Sequence, residues 1–260
     1  MTTIELSPGA QHWGAQWGSR PADWAASEEQ QTPVYEAALA RAPIGPGEHV
    51  LDVGCGTGVF LRMCADRGAR ASGIDAAENL LALARRRVPA AELRHGDMQA
   101  LPYADDTFDL VTGFTSFFFA EDMTLALQEA RRVARPGAPV VIQVFGRPDR
   151  CDLEAMKAAV AQYRGAAHRS YWRPGVAEEI AARAGLTVTE SLDVTFDYRY
   201  ADETAMLDAM GAAGGAALAG GPEREHEVRA AIAAALSSCR RSDGSYRIGN
   251  EWHLVIARAE

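Results

Sequence analysis

Lysine is nearly absent from this 260-residue chain, in which 25 arginines stand beside a single lysine, Lys157. Acidic residues outnumber basic ones by 35 to 26, which gives a formal net charge of −9. An excess of negative charge repels a phosphate backbone and disfavours docking on anionic lipid. We therefore expect neither a nucleic-acid partner nor a membrane partner.

The sequence also lacks paired cysteines and long apolar runs. Its four cysteines form no CxxC pair and match no zinc-site spacing, which indicates reduced thiols and no metal centre: Cys55, Cys64, Cys151 and Cys239. No apolar run approaches the roughly 20 residues that cross a bilayer. The first residues also have no signal-peptide pattern. These absences predict a cytoplasmic protein.

What is present is the composition of a globular protein, with 48% apolar and 23% charged residues. Over residues 34–146, short β-branched runs alternate with amphipathic helical segments, which is typical of βαβ units around a parallel sheet. Beyond Gly146 the pattern changes. The elements predicted there are helices at 152–164 and 173–185, a strand at 186–200, helices at 202–213 and 222–238, and a last strand centred on 252–257.

The most informative motif is VLDVGCGTG at residues 50–58, where a predicted strand runs into glycines that open onto a helix. A dinucleotide site expects a further glycine at position 59, where Val59 stands, and it places a pyrophosphate at the helix N-terminus. Asp52 would add negative charge beside that pyrophosphate. S-adenosylmethionine (SAM) carries an ammonium and a sulfonium but no phosphate, so it suits Asp52 better.

Two further acids end the next two predicted strands. Asp75 lies 17 residues beyond Gly58, and a carboxylate there can accept hydrogen bonds from two adjacent ribose hydroxyls, in a dinucleotide or in SAM. Asp97 can accept from the amine of an adenine, with Met98 against the ring face. The alternative for Asp97 is an aspartate that caps a turn or helix.

Four segments follow one another at characteristic distances: VLDVGCGTG, GIDAAENLL, RHGDMQALPYADDTFDLV and EARRVARPGAPVVI. In this order they resemble the class I, Rossmann-like SAM-dependent methyltransferases, in the small-molecule branch similar to the ubiquinone and menaquinone C-methyltransferases. The resemblance is strong over residues 34–146 and weak over 173–200 and 246–258. It implies an α/β fold, a three-layer αβα sandwich with a seven-stranded, mostly parallel sheet in the order 3-2-1-4-5-7-6, whose last strand is antiparallel.

The resemblance also implies where SAM, with S-adenosylhomocysteine (SAH) as its product, would be bound. The glycine loop would lie beneath the methionine part, Asp75 would hold the ribose, Asp97 and Met98 the adenine, and the segment after the fourth strand would lie near the methyl group. Aromatic residues before the first strand would cover the cofactor. The cofactor-binding residues predicted in this way are Asp52, Gly54, Cys55, Gly56, Gly58, Asp75, Ala76, Asp97, Met98, Phe114, Thr115, Trp17 and Tyr35.

The acceptor side departs from the quinone enzymes, which often carry a histidine pair after the fourth strand. Phe118 and Phe119 occupy those positions here, so we expect an apolar wall, with core packing as the alternative reading. Because a neutral thioether leaves without help, alignment and exclusion of water can suffice. The candidate acid/base residues are His12, His168 and Glu251, and the candidate acceptor contacts are Trp13, Ser116, Phe117, Phe119, Tyr171 and Trp172.

We therefore predict a single domain over residues 1–260, divided into an N-terminal cover (1–33), a SAM-binding core (34–146) and helical inserts at 147–172 and 201–245. The predicted activity is methyl transfer from SAM to O, N or C of a small molecule in bacterial specialised metabolism. Two alternatives remain at this point: a SAM-binding protein that regulates or guides a cyclisation without methylating, and an NAD(P)-dependent oxidoreductase. The sequence leaves the oligomeric state open.

Overall fold

A computed structural model describes residues 6–161, 163, 173, 175–211 and 222–260. Seven strands form one sheet in the order β3-β2-β1-β4-β5-β7-β6, with β1 to β5 parallel and β7 antiparallel to β5 and β6. The predicted sheet is therefore confirmed. The strands are β1 (His49–Val53), β2 (Arg70–Asp75), β3 (Glu92–His95), β4 (Leu110–Phe114), β5 (Pro139–Phe145), β6 (Leu186–Tyr200) and β7 (Tyr246–Ala259).

The helices follow the predicted alternation, and two more occur near the N-terminus, where no regular structure was predicted. They are α1 (Pro8–Trp17), α2 (Pro21–Glu28), α3 (Thr32–Arg41), α4 (Val59–Ala65), α5 (Glu78–Arg87), α6 (Met123–Val133), α7 (Leu153–Ala161), α8 (Val176–Arg183), α9 (Glu203–Met210) and α10 (Glu225–Ala235). Prolines stand at the first turn of α1 and α2, where a missing N–H is tolerated. We call residues 8–31 the N-terminal segment.

Helices cover both faces of the sheet and bury a separate apolar cluster on each. One cluster includes Phe60 of α4 and Met156 of α7, and the other includes Leu127 of α6 and Ala181 of α8. All five residues of β1 are buried, which fits a central parallel strand covered on both sides. The predicted three-layer arrangement is confirmed.

The strand order reverses at β1, whose neighbours are β2 and β4. The loops that leave β1 and β4 consequently diverge, and a crevice opens at the carboxyl ends of these strands, where open α/β sheets bind ligands. In the described part of the chain, no helix has the length and hydropathy needed to cross a membrane. Three predicted site residues, His168, Tyr171 and Trp172, lie outside the described residues.

Candidate functional site

A cleft with an empty volume of about 810 Å³, part of it open to solvent, lies at this crevice. Its lining brings together nine predicted residues from the strand ends and the loops that follow them. They are Gly54, Gly56, Asp75, Ala76, Asp97, Met98, Phe114, Thr115 and Ser116. The structure therefore brings these nine predicted residues together at one cleft.

The glycine loop after β1 needs residues without side chains. Gly54 has φ +76°, and a Cβ there would lie 2.4 Å from the Cβ of Ser116. Two predicted members of this loop do not line the cleft. Cys55 packs on Gly73 of β2, and Gly58 precedes α4 and faces Ala84 of α5.

Asp75 ends β2 at the cleft wall. Its Oδ2 accepts from the Gly56 amide at 2.9 Å and its Oδ1 from the Ala77 amide at 2.8 Å. Burial raises the pKa of this carboxyl above its ordinary value, and these amides and the nearby His95 oppose the rise. Each carboxylate oxygen retains a second lone pair, so the group can accept from two adjacent hydroxyls of a ligand.

The position of Asp97 fits both interpretations that the sequence left open. It lines the cleft, and its Oδ1 also accepts from the Gln99 amide at 2.9 Å, as a capping aspartate does. Its Oδ2 accepts from the Ser7 amide at 3.1 Å, which ties the start of α1 to the cleft.

Asp52 requires a correction, because it does not line the cleft. The side chain is 3% exposed and accepts from the Thr112 hydroxyl at 2.7 Å. Burial raises its pKa to about 8. Burial therefore favours the neutral form of Asp52, and its carboxyl lies behind the glycine loop, outside the cleft lining.

Glu28, at the end of α2, supports the glycine loop from behind and was missed by sequence reasoning; like Asp52, it is buried and does not line the cleft. Its buried carboxylate accepts from the amides of Thr57 at 2.9 Å and Val59 at 3.3 Å, at the start of α4. Burial raises the pKa of Glu28 to about 7. Its sequence context, Ser-Glu-Glu-Gln-Gln, reads as a solvated polar stretch, so no local signal points to this contact.

The segment after β4 turns sharply at Thr115, which has φ +55°, a strained value for a β-branched residue. Thr115 lines the cleft, and its buried hydroxyl has no hydrogen-bond partner among the described residues. The neighbouring Ser116 hydroxyl donates to the Val53 carbonyl at 2.6 Å. Phe117 corrects a prediction: it is fully buried against Gly113 of β4 and belongs to the core.

The N-terminal segment supplies an aromatic wall made of Trp13, Trp17 and Trp24. The Trp13 and Phe119 rings lie 4.6 Å apart, and the Trp17 ring lies 4.9 Å from Trp24. Helix α1 rests directly on the loop after β2, since a Cβ on Gly14 would lie 2.2 Å from the Ala76 carbonyl oxygen.

Tyr35, a predicted cofactor contact, does not line the cleft. Its buried ring packs edge-on against Phe114 at 4.7 Å and lies 5.7 Å from Phe60. Its place is in the layer behind the cleft wall, so the predicted contact with the cofactor is corrected. The aromatic cover is instead made by tryptophans of α1 and α2, which precede Tyr35 in the sequence.

The two described acid/base candidates also lie away from the cleft. His12 is exposed on α1, with its Nε2 3.1 Å from Gln16. Glu251 is fully buried and accepts from the Arg147 amide at 3.1 Å and from Arg150 at 3.2 Å. Among the described residues that line the cleft, the ionisable ones are Asp75, Asp97 and Glu121, and there is no histidine, lysine or arginine.

These contacts predict a structural role for Glu251, which ties the segment after β5 to β7. Glu251→Gln should lower the free energy of unfolding by about 1–3 kcal/mol, because a buried hydrogen-bonded charge loses part of its network. Chemical denaturation measures this loss. Ligand affinity of the folded variant should equal that of the parent, and a selective loss of activity without loss of stability would contradict this role.

Comparison with known proteins is consistent with this geometry. Residues 51–142 match the family described as "Methyltransferase domain". The chain is 33% identical over 144 residues to a malonyl-[acyl-carrier protein] O-methyltransferase of Serratia marcescens, a match that covers 55% of each protein. It is 41% identical over 118 residues to a demethylmenaquinone methyltransferase of Shouchella clausii, covering 42% of the chain and 50% of the relative.

The chain thus spans about half the length of the curated relatives that it matches. Among solved structures, the [4+2]-cyclase SpnF has the same fold, with a TM-score of 0.62 at 18% identity and coverage of 99% of this chain and 98% of that one. The predicted resemblance to class I methyltransferases is confirmed by the matched domain together with the fold.

Proposed function

We propose that this chain, with its class I methyltransferase domain, moves a methyl group from SAM to a small-molecule acceptor. The observation that carries the proposal is the cleft at the reversal of strand order, with Asp75 at its wall and Glu28 on the loop amides. SAM, when bound, supplies an electrophilic methyl group on a sulfonium.

The polar residues of the cleft fit SAM better than a dinucleotide. A pyrophosphate needs free amides at the start of α4, and Glu28 already bonds those of Thr57 and Val59. A second negative group at that place would be repelled. The acidic residues that line the cleft suit the ammonium and sulfonium of SAM instead. This argues against the oxidoreductase alternative.

Residues of the chain would divide the work as follows. Asp75 would accept hydrogen bonds from the ribose hydroxyls, and Asp97 with Met98 would contact the adenine. The Thr115 hydroxyl, which is buried and unpaired among the described residues, would hydrogen-bond the ligand near the reacting centre. The tryptophans of the N-terminal segment would exclude water, which leaves alignment as the main catalytic contribution.

The acceptor side of the cleft is aromatic and lacks a basic side chain among the described residues that line it. We infer that the acceptor has a flat or apolar part. It would be methylated on O, N or C, and no residue of this lining would serve as a dedicated base. We further propose a role in bacterial specialised metabolism and a cytoplasmic location, which the four free, buried cysteines support.

A second candidate is a SAM-binding protein that guides another reaction. The same base-free lining favours it, and SpnF is named as a cyclase. Incubation of the chain with methyl-labelled SAM and a bacterial metabolite extract separates the two candidates. Label in a small-molecule product supports methyl transfer. SAM binding without labelled product favours the second candidate, and absence of SAM binding removes both.

Trp17 gives a direct test of the aromatic cover. Trp17→Ala should weaken SAH binding by roughly 10- to 100-fold, because a buried indole contributes about 1.5–3 kcal/mol through its apolar area. Isothermal titration calorimetry measures the change. Gln11→Ala, on the exposed side of the same helix, is the matched control and should bind SAH like the parent. Unchanged affinity of the Trp17 variant would show that the cover does not touch the cofactor.

A further inference from the structure

The glycine loop of the cleft is held from behind by a buried carboxylate of the N-terminal segment. Glu28 is 4% exposed, and its two oxygens accept from the Thr57 amide at 2.9 Å and the Val59 amide at 3.3 Å. The same carboxylate lies against Gly56, where an added Cβ would be 2.8 Å from the Glu28 Oε2. One side chain therefore contacts the chain at three positions between residues 56 and 59.

Gly56 connects this contact to the cofactor side of the cleft. It lines the cleft, and its φ of +54° is a conformation that favours glycine. Its amide donates to the Asp75 Oδ2 at 2.9 Å, and Asp75 is the carboxylate to which we assign the ribose hydroxyls. A shift of Glu28 would therefore move the N–H group that orients Asp75.

A guanidinium holds the same loop from another side. Arg87, at the end of α5, donates through Nη1 to the Thr57 carbonyl at 3.0 Å and also to the Thr57 hydroxyl. Its Nη2 donates to the Glu29 Oε1 at 2.6 Å. Thr57 is thus bonded on its amide by Glu28 and on its carbonyl by Arg87. Glu29, which follows Glu28 in the sequence, bonds Arg87 in turn, so these contacts close a ring around the loop.

Helix α2 is itself fixed on the sheet, on both sides of Glu28. The Ser27 hydroxyl lies 3.0 Å from the Tyr200 hydroxyl at the end of β6. The Gln30 side chain accepts from the Arg199 amide at 2.7 Å and donates to the Arg199 carbonyl at 3.2 Å. These bonds hold the carboxylate of Glu28 at the loop.

Stability alone gives no reason for a charge at this place. Burial raises the pKa of Glu28 to about 7, because a carboxylate loses hydration when it is enclosed. A glutamine of nearly the same shape would avoid this loss, but it offers one accepting oxygen, and its NH₂ group would face the second backbone N–H. The carboxylate therefore suits the two loop amides rather than the packing.

From this geometry, and on the basis of the proposed function, we propose that Glu28 and Arg87 are positioning residues for SAM. They fix the glycine loop in the form in which Gly56 orients the Asp75 carboxylate toward the ribose. Neither side chain lines the cleft, so both act through the loop. Their contribution to cofactor affinity consequently depends on the presence of the Asp75 carboxylate.

The test measures SAH affinity by ligand-observed NMR titration, which also detects weak binding, at pH 8, where the Glu28 carboxylate is ionised. Glu28→Gln keeps the shape and removes one acceptor. We expect it to weaken SAH binding about tenfold in the parent but less than about twofold in the Asp75→Ala background. A variant that had only lost a stabilising contact would show the same loss in both backgrounds.

Arg87→Met removes the guanidinium, keeps the apolar stem and provides the same test if the Glu28 variant does not fold. It should weaken SAH binding about fivefold, with the same dependence on Asp75. Glu36→Gln, on an exposed position of α3, is the matched control and should bind SAH like the parent.

SAH binding within about twofold of the parent by either folded variant overturns the proposal, as does an equal loss with and without the Asp75 carboxylate. Failure of the parent chain to bind SAH would instead overturn the proposed function, so the two failures are distinct.

Discussion

Replacement of Asp75 by alanine is expected to weaken SAH binding by 100-fold or more. Asp75 is the one carboxylate at the end of β2, and both of its oxygens are oriented by backbone amides toward the cleft. Two charge-assisted hydrogen bonds to ribose hydroxyls contribute about 1.5–3 kcal/mol each, and a factor of ten corresponds to about 1.4 kcal/mol. Calorimetric titration of SAH into the purified variant gives the affinity.

The same substitution also removes the hydrogen bonds to Gly56 and Ala77, so its effect on stability has to be measured separately by thermal unfolding. Asp66→Ala is the matched control, since Asp66 lies exposed at the end of α4 and pairs only locally with Arg62. It should bind SAH like the parent. If the folded Asp75 variant bound SAH within threefold of the parent, our assignment of the ribose site would be incorrect.

The second large effect is a dependence of stability on pH that arises from two buried carboxyls. Burial raises the pKa of Asp52 to about 8 and that of Glu28 to about 7, against ordinary values near 4. Between about pH 4 and pH 8, these two carboxyls keep their protons in the folded chain and have lost them in the unfolded chain. The free energy of unfolding should therefore fall as the pH rises from about 4 to about 8.

Asp52→Asn isolates one of these contributions. The asparagine carbonyl can still accept from the Thr112 hydroxyl, but the side chain cannot ionise. At about 1.4 kcal/mol per pKa unit, the variant should be more stable than the parent by roughly 2–5 kcal/mol at pH 8 and nearly equal to it at pH 4. Urea denaturation at both pH values measures this difference. Asp66→Asn should leave the parent's pH slope unchanged, and an unaltered slope in the Asp52 variant would contradict the role of burial.

The sheet and the cofactor side of the cleft could be predicted because their signals are local. A buried run that ends in glycines predicts β1 and the loop after it. An acid at the end of β2 lies at the carboxyl edge of the sheet, because neighbouring parallel strands all end at that edge. The alternation of short apolar runs and amphipathic helices then predicts parallel strands, and their order was implied by the resemblance to class I methyltransferases. Asp75 and Asp97 were found in this way, and both line the cleft.

The rest depends on contacts between distant parts of the chain. Glu28 meets the start of α4 across about thirty residues, and nothing in its own neighbourhood distinguishes it from its solvated neighbour Glu29. Phe117 and Phe119 have the same residue type and follow the same sharp turn at Thr115, but Phe117 lies in the core and Phe119 lines the cleft. Side-chain direction after an irregular turn has no period that a sequence reveals.

The N-terminal segment and the residue before it contact the loops around the cleft at several points: Ser7 bonds Asp97, Gly9 bonds Glu121, Gly14 rests on Ala76, and Glu28 bonds the glycine loop. Because the cleft is only partly open to solvent, a bound ligand would leave more easily once several of these contacts break together. On the proposed function, we expect opening of this segment, rather than methyl transfer, to limit turnover. Such an enzyme would slow in viscous solvent and would show a burst of product in its first turnover.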